Sequence, residues 1–182
     1  MKILNVNNTL DTELGGGTAE RTYQMTRWLT ELGQDCKILS LDFGSDLEYQ
    51  HVDKKNIIAL KCINKRFYIS APSFYKVFDV VKKSDVIHIM SHWSLLNALV
   101  YVNARINKKP YVFCPAGALI IYGRSKLLKK IYNIIIGKRI IFNASHCIAI
   151  SKEEMDVINN FGVNRSKIMH IPNGIRDRKS VV

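Results

Sequence analysis

Short apolar runs alternate with amphipathic stretches along the chain. Lys2–Asn7 predicts a buried strand, and a turn-rich stretch from Asn8 to Gly17 follows it, ending in Gly15-Gly16-Gly17. Thr18 is the expected N-cap of the next helix, whose apolar face is Ala19, Met25, Leu29 and Leu32, and Gly33 is placed to end it. Cys36–Asp42 and Ile57–Lys61 predict two further strands, Ala71–Lys83 a helix, and Asp85–Met90 a fourth strand. Trp93–Asn107 has helical spacing, Pro110–Cys114 reads as a strand, and Ser125–Phe142 reads as a helix. His146–Ile150 is a sixth strand and Lys152–Phe161 an amphipathic helix. Lys167–Ile171 predicts the last strand, closed by Pro172-Asn173-Gly174.

Val- and Ile-rich strands that alternate with helices build βαβ units, and these give a parallel sheet covered on both faces. The expected fold class is therefore α/β: a single doubly wound, Rossmann-like domain with a mostly parallel sheet, over residues 1–175, with 176–182 as a short tail. A chain of 182 residues supports one such core but is short for two. Ligands of doubly wound sheets bind beyond the carboxyl ends of the strands. That rule collects Asn7–Gly17, His92, Pro115–Leu119 and Ser151 on one rim.

Charge changes the picture. Residues 1–85 carry 12 basic and 11 acidic side chains, whereas residues 86–152 carry ten basic and no acidic ones, so the excess of +12 is concentrated in one region. Such a stretch suits a surface that works beside phosphate, lipid headgroups or nucleic acid, or a basic face kept for solubility. The four cysteines (36, 62, 114, 147) form no CxxC pair, which points to neither a zinc site nor a disulfide framework. The N-terminal residues hold no apolar run of signal-peptide length, and no window approaches a membrane span. A cytoplasmic protein with reduced thiols, bound at most peripherally to a membrane, is expected.

Candidate chemistry lies on the rim. Gly15, Gly16 and Gly17 let a backbone approach a ligand closely and open into a helix whose free N–H groups suit a phosphate, although a tight turn that binds nothing has the same composition. The glycines are consecutive and come late after the strand, unlike a dinucleotide fingerprint. His88 and His92 are four apart, but His88 falls among the strand's core positions, so no metal site is expected. His92, beside Trp93, suits a neutral imidazole holding a sugar hydroxyl while the indole covers the sugar's apolar face; capping of the next helix is the plainer role. Cys114 reads as a buried, inert thiol. From Gly123 to Phe142, Arg124, Lys126, Lys129, Lys130, Lys138 and Arg139 surround Leu and Ile side chains. Part of that apolar set must pack on the sheet, and the rest, with Tyr122 and Tyr132, suits either an anionic membrane or a solvated helix side.

These segments together resemble the N-terminal, acceptor-side domain of a GT-B glycosyltransferase of the GT4 type, the "group 1" glycosyltransferases. The resemblance rests on Gly15-Gly16-Gly17-Thr18-Ala19-Glu20-Arg21, on Asp85–Trp93, on Pro110–Leu119, and on Ala149-Ile150-Ser151-Lys152 with Ile171-Pro172-Asn173-Gly174-Ile175. It implies retaining transfer of a sugar from a nucleotide-diphosphate sugar to a glycan or lipid-linked acceptor, in surface polysaccharide or glycolipid synthesis. It casts His92 as the catalytic histidine, Gly15–Gly17 as the loop facing the donor's phosphates and sugar, and Trp93, Pro115, Ala116, Gly117 and Ser151 as the acceptor side. Pro115-Ala116-Gly117 offers backbone amides alone, with no imidazole or guanidinium. The nucleotide-binding second domain of the family, with its basic pair and Glu-x7-Glu, is absent from this chain, so the chain is expected to be inactive alone and to need a downstream or separate partner. No cofactor or metal is implied beyond the donor itself. The competing reading is a non-catalytic module for an anionic glycolipid, a membrane surface or nucleic acid; the absence of RRM, KH and helix-turn-helix signatures speaks against nucleic acid.

Overall fold

The structure is a computed structural model that describes residues 1–42, 52–64, 69–70, 73–121 and 125–174. The chain begins in the middle of its sheet. Strand β1 (Lys2–Val6) pairs with β2 (Asp35–Leu41), which pairs with β3 (Ile57–Leu60) at one edge. A short antiparallel pair, β4 (Cys62–Asn64) and β5 (Ile69–Ser70), follows; the sequence pattern does not predict it. The chain then returns to the free side of β1 as β6 (Val86–Met90) and moves outward through β7 (Tyr111–Cys114), β8 (His146–Ala149) and β9 (Ile168–His170). The seven-stranded sheet has the order β3-β2-β1-β6-β7-β8-β9, and every neighbouring pair is parallel. The order reverses between β1 and β6, so the carboxyl ends of these two strands frame the crevice that doubly wound sheets use for ligands.

Helix α1 (Thr12–Glu31) follows β1, α2 (Phe74–Lys83) precedes β6, and α3 (Leu95–Ile106) joins β6 to β7. Between β7 and β8 run α4 (Lys126–Tyr132), a π turn (Asn133–Gly137) and α5 (Lys138–Phe142) without interruption, and α6 (Lys152–Asn160) joins β8 to β9. Strand side chains alternate between faces. Leu4, Val6, Ile87, Ile89, Tyr111, Phe113, Cys147 and Ala149 point to one face and form the large core with Val77, Val81, Leu96, Val100, Ile140, Ile141 and Ile158.

The other face is unusual in being polar under α1. Asn5 Nδ2 donates to Thr26 Oγ1 (2.9 Å) and Asn7 Nδ2 to Thr22 Oγ1 (3.0 Å), and His88 lies beside Asn5. Thr22, Thr26 and Thr30 each return their hydroxyl to the carbonyl four residues back, so the i+4 row of threonines satisfies itself while facing the strand.

One sequence expectation is corrected here. Thr18 is not an N-cap: α1 starts about two turns earlier, where the Asp11 carboxylate accepts from the N–H groups of Glu13 and Leu14. The Thr18 hydroxyl instead donates to Gly15 O. The glycines sit inside the helix at a kink, with Gly16 at φ 53° and ψ −139°, a conformation that disfavours any side chain. Asp11 wins because a carboxylate cap with Glu13 in the first turn complements the helix dipole. Arg124 and Tyr122, like the expected tail at 176–182, lie outside the described residues.

Candidate functional site

A cleft of about 740 Å³ opens at the crevice between the ends of β1 and β6. Asn7, Asn8, Thr9, Leu14, Gly15 and Thr18 form one wall. Ser91, His92, Trp93 and Leu95 form the floor, and Ser125, Leu128, Lys129 and Tyr132 of the α4 region form the opposite wall. Residues distant in sequence thus meet because the sheet reverses direction at this point.

The turn after β6 is held in a strained shape. Ser91 (φ 64°) and Trp93 (φ 54°) flank His92 with left-handed backbones, and Ala116 (φ 49°) and Ser125 (φ 63°) do so in neighbouring loops. Such conformations persist in non-glycine residues only where the surroundings fix them. Asn97, fully buried in α3, does this for the turn by donating its Nδ2 to both Met90 O and Ser91 O (3.0 Å each). Ser94 caps α3 by accepting from Asn97 N, and the Trp93 indole N–H donates to Ala118 O.

His92 is 3% exposed. Its ring meets Trp93 (4.5 Å between centroids), Tyr132 (5.3 Å) and Phe113 (5.6 Å) edge to face. Burial pulls its pKa down to about 4, against a smaller opposing effect from Asn133, so the imidazole is neutral at neutral pH. Asn133 Oδ1 lies 3.0 Å from Nε2. A carbonyl oxygen only accepts, so Nε2 carries the proton and Nδ1 keeps its lone pair. Nδ1 is buried with no partner among the described residues.

The π turn brings Asn133 to this point. Its extra residue turns Asn133 and Gly137 toward the sheet, where both are buried. A Cβ at Gly137 would collide with Asn133 Oδ1 and come within 3.0 Å of His92 Nε2.

The expected site residues divide into four groups. Gly15, His92 and Trp93 line the cleft, with Lys129 Nζ placed 5.6 Å above the Trp93 ring. Gly16 and Gly17 stand exposed at the kink of α1 and do not line it. Pro115, Ala116, Gly117 and Ser151 gather one strand further on, around Glu154. This carboxylate is 7% exposed and accepts from Gly117 N (2.6 Å) and Ile150 N (2.7 Å), while Ser151 caps α6 by accepting from Glu154 N. The Ser151-x-x-Glu154 spacing is a capping-box signature that could have marked Glu154 in advance. Lys126, Lys130, Lys138 and Arg139 are exposed on the helix between β7 and β8.

Arg21, which the sequence reading left without a role of its own, crosses from α1 to the end of the described chain. Its guanidinium donates to Asn173 Oδ1 (2.6 Å) and Ile171 O (3.3 Å), fixing the Ile171-Pro172-Asn173 segment against α1. His88 is 2% exposed, as its strand position predicts, and burial with the nearby Arg21 charge lowers its pKa to about 3. Cys114 is buried, and desolvation raises its thiol pKa to about 11, which keeps it protonated and unreactive. No cluster of three or more metal-ligating side chains occurs among the described residues.

Comparison with known proteins gives a consistent picture. A sequence profile of Glycosyltransferase Family 4 matches residues 15–179. No curated protein matches the sequence significantly. Among solved structures, Anabaena HepE in complex with UDP and glucose is 14% identical with a TM-score of 0.61, over 96% of this chain and 45% of that one. The UDP-N-acetylglucosamine 2-epimerase of Rickettsia bellii is 12% identical with a TM-score of 0.62, over 95% of this chain and 45% of that one. The corresponding epimerase of Methanocaldococcus jannaschii gives 14%, 0.61, 95% and 46%. At such identities the likeness is one of fold, and the chain spans less than half the length of these proteins.

Proposed function

The chain belongs to Glycosyltransferase Family 4, and from that premise we propose that it forms the acceptor-side half of a retaining sugar transferase. The donor is a nucleotide-diphosphate sugar, and the acceptor a glycan or lipid-linked sugar of surface polysaccharide or glycolipid synthesis. The observation that supports this most is the 740 Å³ cleft at the reversal point of the sheet, with a neutral buried histidine in its floor and an indole beside it.

In this reading His92 is the catalytic histidine. With Nε2–H held by Asn133, its Nδ1 lone pair accepts a sugar hydroxyl when the cleft fills, and the neutral ring adds no charge that would hold the anionic donor too tightly in the ground state. Trp93 offers an apolar face to the sugar ring. Gly15 presents backbone toward the donor's phosphates from the cleft wall, and Gly16 and Gly17 continue that surface at the exposed kink of α1, outside the cleft itself. Pro115, Ala116, Gly117 and Ser151, ordered by Glu154, border the acceptor. Neutralisation of the leaving diphosphate is the main electrostatic task of such a transfer, and among the described residues that line this cleft Lys129 is the one basic side chain. That task falls to a second, donor-binding domain facing the cleft, without which the chain is inactive. The donor is the sole small molecule required, with no metal or cofactor. The four free cysteines suit a reducing, cytoplasmic setting.

Trp93 provides the test. The chain has two tryptophans, and Trp28 is 56% exposed on the far part of α1. Trp28→Phe leaves Trp93 as the sole indole reporter. Titration with glycan- and lipid-linked sugars is expected to shift or quench its emission, and nucleoside diphosphate alone is expected to leave it unchanged. A response to nucleoside diphosphate but to none of the acceptors would reverse the assignment of the cleft.

A further inference from the structure

The segment from Lys126 to Phe142 buries one face and leaves an apolar face uncovered. Inward, Tyr132, Asn133, Ile136, Gly137, Ile140 and Ile141 pack on the sheet and floor of the cleft. Outward, Leu127 (70% exposed), Leu128, Ile131, Ile134 (76%) and Ile135 (61%) share one side by i+3 and i+4 spacing. A soluble helix normally turns charge to solvent on that side. Here the charge stands at the borders instead, as Lys126, Lys130, Lys138 and Arg139, all exposed. No Asp or Glu occurs anywhere from residue 86 to 152 to balance them.

We propose that this face seats on an anionic phospholipid bilayer. Its composition separates that occupant from a protein partner. Protein interfaces favour aromatic side chains, Met and Arg and are depleted in Lys, whereas this face is aliphatic and bordered mainly by Lys, whose stems lie along apolar surface while their ammonium groups reach phosphate. No helix among the described residues is long and apolar enough to cross a membrane, so the element lies in the interface plane. Leu128 and Lys129 also line the cleft, which therefore opens at the level of the lipid headgroups. If the transferase reading holds, this geometry makes the acceptor a membrane lipid that enters from the bilayer side. The docking itself does not depend on that reading.

The test is sedimentation of the 182-residue chain with vesicles of phosphatidylglycerol and phosphatidylcholine, compared with phosphatidylcholine alone. Binding is expected to the mixed vesicles, to weaken with salt, and to fall at least about tenfold in the Ile134→Ser, Ile135→Ser double variant. The Lys138→Glu, Arg139→Glu variant is expected to lose at least about tenfold as well, since each basic residue at such a surface contributes roughly fivefold. These side chains are exposed, so unfolding midpoints are expected to match the parent. Equal binding to both vesicle types, absence of binding, or affinity unaffected by either variant overturns the proposal. So does a concentration-dependent dimer that the Ile134→Ser, Ile135→Ser change dissolves, because the occupant would then be a second copy of the chain. Failure here leaves the Trp93 titration to judge the transferase reading separately.

Discussion

Gly137→Ala is expected to destabilise the protein by about 1–3 kcal/mol, even though alanine is the better helix former by about 1 kcal/mol. The added Cβ meets Asn133 Oδ1, comes within 2.9 Å of Tyr132 Cδ1 and reaches 3.0 Å from His92 Nε2. All three side chains are packed against one another beneath the cleft, and the Asn133–His92 hydrogen bond (3.0 Å) has no room to shift intact. The contact term therefore outweighs the propensity term. Urea unfolding of the two proteins decides the sign. A stability gain near 1 kcal/mol would mean that the floor of the cleft is loosely packed and that Asn133 does not orient the histidine.

Acid is expected to weaken the fold well before its carboxylates protonate. His92 and His88 have folded pKa values lowered from 6.5 to about 4 and about 3, in both cases chiefly by burial. Below about pH 6.5 the unfolded chain takes up protons at these positions that the folded chain refuses, so stability decreases as pH falls. The loss ends only when the folded pKa of each group is reached. Above pH 6.5 neither histidine contributes. Each can cost up to about 1.4 kcal/mol per pH unit, which gives a combined loss of roughly 3 kcal/mol between pH 6.5 and 5. Denaturant unfolding across that interval measures it, and His92→Gln is expected to remove about half of the slope. A flat stability from pH 7 to 5 would show that water or a counter-charge reaches these rings.

The doubly wound fold was legible because its strands are apolar runs at helix-separated intervals, and a parallel sheet needs little more. Burial of His88 and Cys114 followed from strand position in the same way. The start of α1 was not legible from the glycines: three in a row read as loop, yet a carboxylate cap at Asp11 carries the helix through them with a kink at Gly16. The threonine row of α1 was visible as an i+4 repeat, but its meaning depends on Asn5 and Asn7 pointing across from β1, which is tertiary information.

The site was half legible. The rule that ligands lie beyond strand ends placed Gly15 and His92 on one rim, and both line the cleft, but it could not separate the cleft from the neighbouring loop cluster around Glu154. Nothing in the apolar pattern of Ser125–Phe142 distinguishes a π turn from a continuous α-helix. The one-residue insertion that delivers Asn133 to His92 therefore had no sequence signal. The outward aliphatic residues of the same segment had a signal, yet which of them would pack on the sheet depended on that turn.

The central claim is that this chain supplies one side of a sugar transfer and depends on another domain for the other. It is tested most directly by nucleoside diphosphate release from labelled nucleotide sugars in the presence of lipid-linked and glycan acceptors. The 182-residue chain would be assayed alone and joined, beyond Pro172-Asn173-Gly174, to a donor-binding domain of the family. The account predicts no release by the chain alone, release by the joined protein, and a loss of about a hundredfold or more with His92→Ala in the joined form. Turnover by the chain alone, or a joined enzyme indifferent to His92, would contradict it.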